Sequence, residues 1–334
     1  MPKVSFVVAI YGVAEYIGDC VRSLYGQTLE DIEIILADDC TPDGSIDIAL
    51  RVLEEYPQRK EQVKVVRHEQ NQGTKAVRKT GIMAATGEYV LNIDGDDWVD
   101  ERMAELMYAK AVEEDADMVL CGLWWYRQGG KVARMPVPYE ALGSSDAIKD
   151  ATLDRLGWPN VWCRMVRRSI FLRKEMVWPV ANHAEDVVVS MMTTYLAQRI
   201  ACVREPLYHY RYNPNSITNV RDERNRLKKF DEFVRNNELL IHFYEQNGIS
   251  ERYRHGLKVN KNFARNELLP LTGKRKYRRL WIRTYPELNR EMLRRGTYRE
   301  RIWLAAVSLG LYPKWNKYLL SQRLRPAAVW RKGV

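Results

Sequence analysis

Between residues 4 and 122, apolar positions fall into short continuous runs. Longer segments separate them, in which apolar residues recur every three or four places. The runs Val4–Ile10, Ile32–Ala37, Val63–Val66, Tyr89–Ile93 and Met118–Gly122 are rich in valine and isoleucine and predict buried strands. The intervening Glu15–Gly26, Ser45–Glu55, Thr74–Ala85 and Glu101–Glu114 predict helices. Such alternation predicts an α/β fold with a mostly parallel sheet covered by helices on both faces, binding ligands beyond the carboxyl ends of its strands. After Trp124 the pattern weakens through Gly129-Gly130, Pro136 and Pro138, which predicts a hairpin or irregular insertion. Helical periodicity returns at Ser144–Leu156 and Ala184–Leu196, followed by two strands, Ile200–Val203 and Leu207–Tyr212, joined at Glu205-Pro206. Beyond Asn219 only helices are predicted: Arg224–Gln246, Glu251–Leu269, Lys276–Arg294 and Arg299–Leu311.

Composition narrows the class. A chain of 334 residues with 46% hydrophobic and 29% charged side chains forms a core and exceeds one ordinary domain. Its five cysteines lie far apart without a C-x-x-C pair, which predicts neither a zinc knuckle nor a disulfide framework and fits a reducing cytosol. The opening residues run into a strand without the pattern of a signal peptide. The longest weakly polar stretch, Ile302–Tyr312, is far short of the roughly 20 residues a spanning helix needs, so a cytoplasmic protein is expected. Charge is unevenly placed: residues 1–204 carry 24 basic and 31 acidic side chains, residues 205–334 carry 29 and 12. The two parts are therefore expected to do different things.

Candidate chemistry sits at the predicted strand ends. Asn92-Ile93-Asp94-Gly95-Asp96-Asp97-Trp98 packs three carboxylates into four positions, and their repulsion is relieved by a hard cation such as Mg²⁺ or Mn²⁺ or, alternatively, by solvent in a turn that caps the next helix. Asp38-Asp39 follows another strand, where a carboxylate can accept a bond from a base or a ribose hydroxyl. Asn71-Gln72-Gly73-Thr74-Lys75-Ala76-Val77-Arg78 sets Lys75 and Arg78 on one helix face, either approaching a nucleotide or simply solvated. His183-Ala184-Glu185-Asp186 opens a helix, where acids suit both capping and general-base work. Tyr208-His209-Tyr210-Arg211, with Ser216 and Thr218 beyond, offers Arg211 as a diphosphate clamp or as strand-edge packing. No G-x-G-x-x-G or P-loop occurs, which disfavours dinucleotide redox chemistry and P-loop hydrolysis.

Taken in order, these residues resemble glycosyltransferase family 2, whose nucleotide-sugar-binding domain has the GT-A fold. The resemblance rests on Val4 to Val13, Ser23 to Thr28, Asp38-Asp39, Asn71-x-Gly73 through Arg78, Ala85-x-Gly87-Glu88-Tyr89, Asp94-Gly95-Asp96-Asp97-Trp98, Glu185-Asp186 and Tyr208-x-Tyr210-Arg211. It covers about residues 3 to 218. Ala9, Gly12, Lys79 and Trp162-Cys163-Arg164 depart from the family's usual Pro, Asn, Asn and Trp-Asn-Lys, in loops expected to face substrate.

The resemblance implies a GT-A catalytic domain at 1–218, donor-binding over about 1–122 and acceptor-side over about 123–218, with a basic helical region at 219–334. It implies that Ala9, Tyr11, Asp39, Asn71 and Arg78 hold the nucleoside, with Asp39 on the base and Asp94 at the ribose; Asp38, Lys75 and Arg211, from the residue pattern itself, are expected to complete the nucleotide site. It further implies a divalent metal at Asp94 and Asp96 with Asp97 beside them, and Asp186 as catalytic base supported by Glu185. The reaction implied is inverting transfer from a nucleotide sugar, expected to be UDP-linked, to the hydroxyl of a glycan or lipid-linked acceptor in cell-surface polysaccharide assembly.

The basic region lies outside the resemblance. Its charge, with Trp281, Trp303, Trp315 and Trp330, suits an anionic membrane surface at the cytoplasmic face, or else a helical appendage whose aromatics pack on the catalytic domain or on a second subunit. Two alternatives stay open at this point. A nucleic-acid-binding protein would use the basic helices but leaves the acidic strand ends unexplained. A metal-dependent nucleotidyl- or phosphotransferase would also cluster aspartates on an α/β sheet.

Overall fold

A computed structural model describes residues 1–137, 143–155, 160–214 and 222–314. The predicted Ser216, Thr218, Trp315 and Trp330 lie outside the described residues. Within those residues, 1–152 with 160–214 form one compact unit, and 153–155 with 222–314 form a second.

The first unit runs β1 (Val4–Ile10), α1 (Ile17–Tyr25), β2 (Ile32–Asp38), α2 (Ser45–Leu53), β3 (Val63–Arg67), α3 (Thr74–Ala84) and β4 (Tyr89–Asp94). It continues through β5 (Trp98–Val99), α4 (Met103–Glu113), β6 (Met118–Tyr126), β7 (Val132–Met135), α5 (Ser145–Arg155), β8 (Arg164–Arg167), α6 (Arg168–Phe171), α7 (Glu185–Leu196) and β9 (Ile200–Tyr210). The sheet order is β3-β2-β1-β4-β8-β6-β9-β5, with β7 paired to β6. Strands β3, β2, β1 and β4 are parallel, as is the β6–β9 pair, while β8 is antiparallel to both its neighbours. The mostly parallel α/β sheet expected from the sequence is the observed one.

Its strands β1 and β2 are buried along nearly their whole length, which explains why they read as unbroken apolar runs. Val4, Phe6, Val8 and Ile10 face one side of β1 and meet Val21 and Leu24 of α1 in the core. On the other face a Cβ at Gly81 of α3 would strike Val7, so glycine lets that helix lie close against the sheet. The predicted hairpin is present as β6–β7. One strand, β9, replaces the two predicted, because its register against β6 shifts around Pro206 instead of breaking.

The second unit contains α8 (Glu223–Gln246), α9 (Arg254–Asn266), α10 (Arg275–Arg283), α11 (Pro286–Arg295) and α12 (Tyr298–Ser308). Asp222 caps α8 by accepting from Asn225 N, and Thr297 with Glu300 forms a capping box on α12. The single helix predicted over Lys276–Arg294 is divided at Tyr285, whose φ of 55° leaves the helical region just before Pro286. Contrary to a lipid-facing role, Trp281 and Trp303 are buried against each other, ring centroids 5.5 Å apart, and Arg265 lies 4.2 Å over Trp281. All five cysteines are free thiols. No helix among the described residues is long and apolar enough to cross a membrane.

Candidate active site

Parallel registration brings three chemistry-bearing strand ends together. Ile10 sits opposite Asp38 on β2, and Ala9 opposite Asp94 on β4. The neighbours of β1 thus diverge to either side, the position at which open α/β sheets form a ligand crevice. Gly95 continues β4 past β1, where a Cβ would press on the Ala9 carbonyl oxygen at 3.1 Å.

Arg78 is the centre of the cluster. It projects from α3, is buried, and donates from Nη2 to Asp94 Oδ1 at 2.9 Å and from Nε to Glu185 Oε1 at 3.2 Å. Burial works against its charge, but Glu185 and Asp94 outweigh it and hold its pKa above the ordinary value. Its Nη1 and the Glu185 Oε2 are both buried and have no partner among the described residues. Burial, reinforced by Asp186 and Asp94 against the pull of Arg78, lifts Glu185 to about 7. Asp186 is raised as well, chiefly by burial, although Arg78 and the Val187 N–H at 3.0 Å favour its ionised form.

The other carboxylates differ in what they touch. Asp96 Oδ2 accepts from Asn213 Nδ2 at 2.9 Å, and burial with the neighbouring Asp94 charge raises its pKa. Asp97 is fully buried: Oδ2 accepts from the Tyr208 hydroxyl and Oδ1 from Arg211 N, both at 2.7 Å. Burial and its two acidic neighbours push Asp97 well above the carboxylate range. Expected as a metal neighbour, Asp97 instead spends both oxygens on the protein. Among the described residues no three His, Cys, Asp or Glu side chains form a ready-made metal cage.

Arg211 is held in place by its surroundings. It donates from Nε to the Asp96 carbonyl at 2.9 Å and from Nη2 to Asp19 at 2.8 Å, and lies 4.5 Å over the Trp98 ring. Asp38 closes its own turn by accepting from Thr41 N, and Arg67 approaches its other oxygen at 3.4 Å. Asp39 is buried and saturated: His68 Nδ1, Gln72 N and Gly73 N reach it at 2.8, 2.8 and 2.7 Å. It thereby organises the Asn71 loop, with Asn71 Nδ2 at 3.5 Å from its carbonyl. Gly73 has φ +85°, and a Cβ there would overlap the Asn182 amide, which accepts from Lys75 N at 3.2 Å. Tyr11 is 49% exposed, at the rim.

Arg78, Asp94, Asp96, Asp97, Glu185, Asp186 and Arg211 thus converge, although up to 133 positions separate them in the chain. Sequence reasoning named Tyr208 only as part of its motif, without its partner Asp97, and missed Asn213, Asn182 and His68, polar residues whose partners lie far away in sequence. A groove of about 890 Å³, lined by Leu106, Ile148, Ile200 and Val203 among others, contains none of these carboxylates.

The pattern of Glycosyl transferase family 2 matches residues 5–174, just over half of the chain. The chain belongs to glycosyl transferase family 2. It is 36% identical over 229 residues to the uncharacterized glycosyltransferase EpsJ of Bacillus subtilis (strain 168), a match covering 66% of this chain and 64% of that protein. The structure resembles S. aureus TarS 1-349 in complex with UDP-GlcNAc, with a TM-score of 0.67 at 19% identity over 96% of this chain and 91% of that one. It also resembles the mannosyltransferase PcManGT of Pyrobaculum calidifontis in complex with GDP-Man and Mn²⁺, with a TM-score of 0.53 at 16% identity over 95% and 87%. The fold is therefore GT-A.

Proposed function

We propose that the protein transfers a sugar from a nucleotide donor, UDP-linked by preference, to an acceptor hydroxyl with inversion at the anomeric carbon, in the assembly of a cell-surface glycan. The observation that carries this reading is Arg78. One buried guanidinium joins the carboxylate at the end of β4 to the acidic pair at the start of α7, and its Nη1 lacks an acceptor. The guanidinium fixes a positive charge among the carboxylates at the strand ends, where the diphosphate of a nucleotide donor would lie. The UDP-GlcNAc and GDP-Man of the two structural neighbours support a nucleotide sugar as donor.

A divalent cation fits the donor set in part. Asp94 and Asp96 are hard oxygen ligands, and they would hold it; burial and then the neighbouring Asp94 charge raise Asp96. When bound, such an ion neutralises charge on a departing diphosphate. The rest falls to the chain's own residues. Arg78 orients Asp94 and Glu185, while Tyr208 and Arg211 N fix Asp97 beneath them. Asp186, in its ionised form, accepts the acceptor hydroxyl proton as that oxygen attacks, with Glu185 supporting it. Asp39 shapes the loop that would meet the base, and Ala9, Tyr11, Asn71 and Lys75 line the same end of the sheet.

For the second unit we propose contact with an anionic bilayer at the cytoplasmic face. Arg275, Arg279 and Arg283 form an exposed stripe on α10, opposite the buried Tyr277 and Trp281, and the exposed Leu280 lies beside it. The reading of the reaction is tested by incubating the protein and Mn²⁺ with a panel of nucleotide sugars and an acceptor extract. Release of a nucleoside diphosphate with a glycosylated product supports it; release of pyrophosphate or of a nucleoside monophosphate overturns it.

A further inference from the structure

The acceptor side of the cleft has a structure that the donor chemistry does not account for. After Leu123 on β6 come Trp124, Trp125 and Tyr126, and on β9 Tyr208 and Tyr210 share one face. Trp162, just before β8, stacks on Tyr208 at 4.4 Å and 21° and on Tyr210 at 5.3 Å and 13°. Tyr210 meets Trp125 at 6.4 Å and 64°, and the Arg127 guanidinium lies 4.3 Å from the centre of the Trp125 ring. The row is tied to the carboxylates, because Tyr208 donates its hydroxyl to Asp97 at 2.7 Å.

Two further facts give this row a direction. Trp125, Trp162 and Tyr210 are only partly buried, packing one side on the core while part of each ring stays exposed. The Tyr210 hydroxyl, pushed up to about 12 first by burial, also feels Asp97, Asp94, Asp96 and Asp186. Geometry ties the row to the same cluster: Trp162 stacks on both Tyr208, which bonds Asp97, and Tyr210, two residues further along the same strand face. Partly exposed aromatic rings beside a carboxylate cluster suit a ligand that covers them.

We propose that Trp162, Tyr210 and Trp125 form a stacking platform for the acceptor, and that the acceptor presents its hydroxyl from a pyranose ring. The electron-rich faces of these rings suit the axial C–H surface of a pyranose. An open-chain polyol or a protein side chain offers no comparable flat apolar face. This inference rests on the glycosyltransferase reading above.

The test uses the full chain saturated with UDP and Mn²⁺. Gluco-, xylo-, manno- and chito-oligosaccharides are compared with glycerol, ribitol and poly(ribitol phosphate) by saturation-transfer NMR. The expected result is transfer to ring C–H protons of at least one oligosaccharide series and not to the polyols. Trp125→Ala should weaken that binding at least tenfold while UDP affinity stays within twofold, since Trp125 touches none of the donor-side carboxylates. Trp162→Tyr, which keeps a stacking ring, should retain binding within a few-fold even if Trp162→Leu fails to fold. Binding of polyols alone, of no oligosaccharide, or of oligosaccharide unaffected by Trp125→Ala overturns the platform. Failure of UDP itself to bind overturns the reading of the reaction instead.

Discussion

Arg78 and Glu185, 107 positions apart, form a buried ion pair at 3.2 Å in which each partner keeps one polar atom without a bond. A pair so placed stabilises the fold only while both members are present, because either one alone is a buried uncompensated charge. Arg78→Met should therefore cost about 3 to 5 kcal/mol in denaturant unfolding. Adding Glu185→Gln should restore much of that loss. An Arg78→Met protein as stable as the parent would show that the pair is solvated and that Arg78 does not organise the cluster.

Glu185 also sets a pH dependence. Its carboxyl is held near 7, above an ordinary 4.5, so between those values the folded state binds more protons than the unfolded one. Stability from this group is fully present below about 4.5 and is lost as pH rises through 7. Transfer should follow the opposite course, falling as pH drops below about 7 and Glu185 loses its charge. Glu185→Gln removes one of two repelling carboxylates and should move the acid limb to lower pH. A limb unmoved in that variant would assign it to another group.

How far this was legible in the sequence depended on the range of the interaction. Strand β1 was read to the residue, because a buried parallel strand announces itself by unbroken valine and isoleucine. Strand β8 was not read, because Arg-Met-Val-Arg has polar ends and owes its place to partners on both sides. The local cluster Asp94-Gly95-Asp96-Asp97 is visible in the sequence as three close carboxylates, and the residue pattern alone does not show what each one touches. Only the fold distinguishes them, by aiming the Tyr208 hydroxyl and Arg211 N at Asp97 and Asn213 at Asp96. Trp281 and Trp303 looked available to lipid, since sequence shows aromatic number but not the partner ring.

That distinction is testable by parallel substitution. Asp96→Asn should abolish Mn²⁺-dependent UDP binding with little loss of fold, since burial and then the Asp94 charge already disfavour its ionised form. Asp97→Asn keeps an oxygen for Arg211 N and offers an amide to Tyr208, so it should bind UDP with Mn²⁺ within a few-fold of the parent. Calorimetric titration decides: equal losses in both variants would restore Asp97 as a ligand.

The exposed stripe on α10 makes a separate forecast. Each basic residue near an anionic surface contributes about 1 kcal/mol, so Arg275, Arg279 and Arg283 changed to Gln together should lower partitioning onto phosphatidylglycerol vesicles by roughly 10²-fold. The loss should vanish at high salt, and UDP affinity should not change. Equal sedimentation of parent and variant would remove α10 from any membrane contact.

The most discriminating test concerns Asp186, because it separates transfer from mere nucleotide binding. A capping role for this residue is weakly supported: the helix N-cap is Ala184, with φ 60° and no side-chain cap, and Asp186 Oδ1 accepts from the N–H of the adjacent Val187. Asp186→Asn preserves that bond and the residue's size while removing the proton acceptor. Donor affinity should therefore survive, and transfer should fall by a factor on the order of 10² to 10⁴, the usual contribution of a general base. Stability should rise or stay level, since burial already penalises the charged form of Asp186. If the variant transfers sugar at nearly the parental rate with unchanged donor affinity, the proton goes elsewhere. Glu185, held near 7 beside it, becomes the group to substitute next.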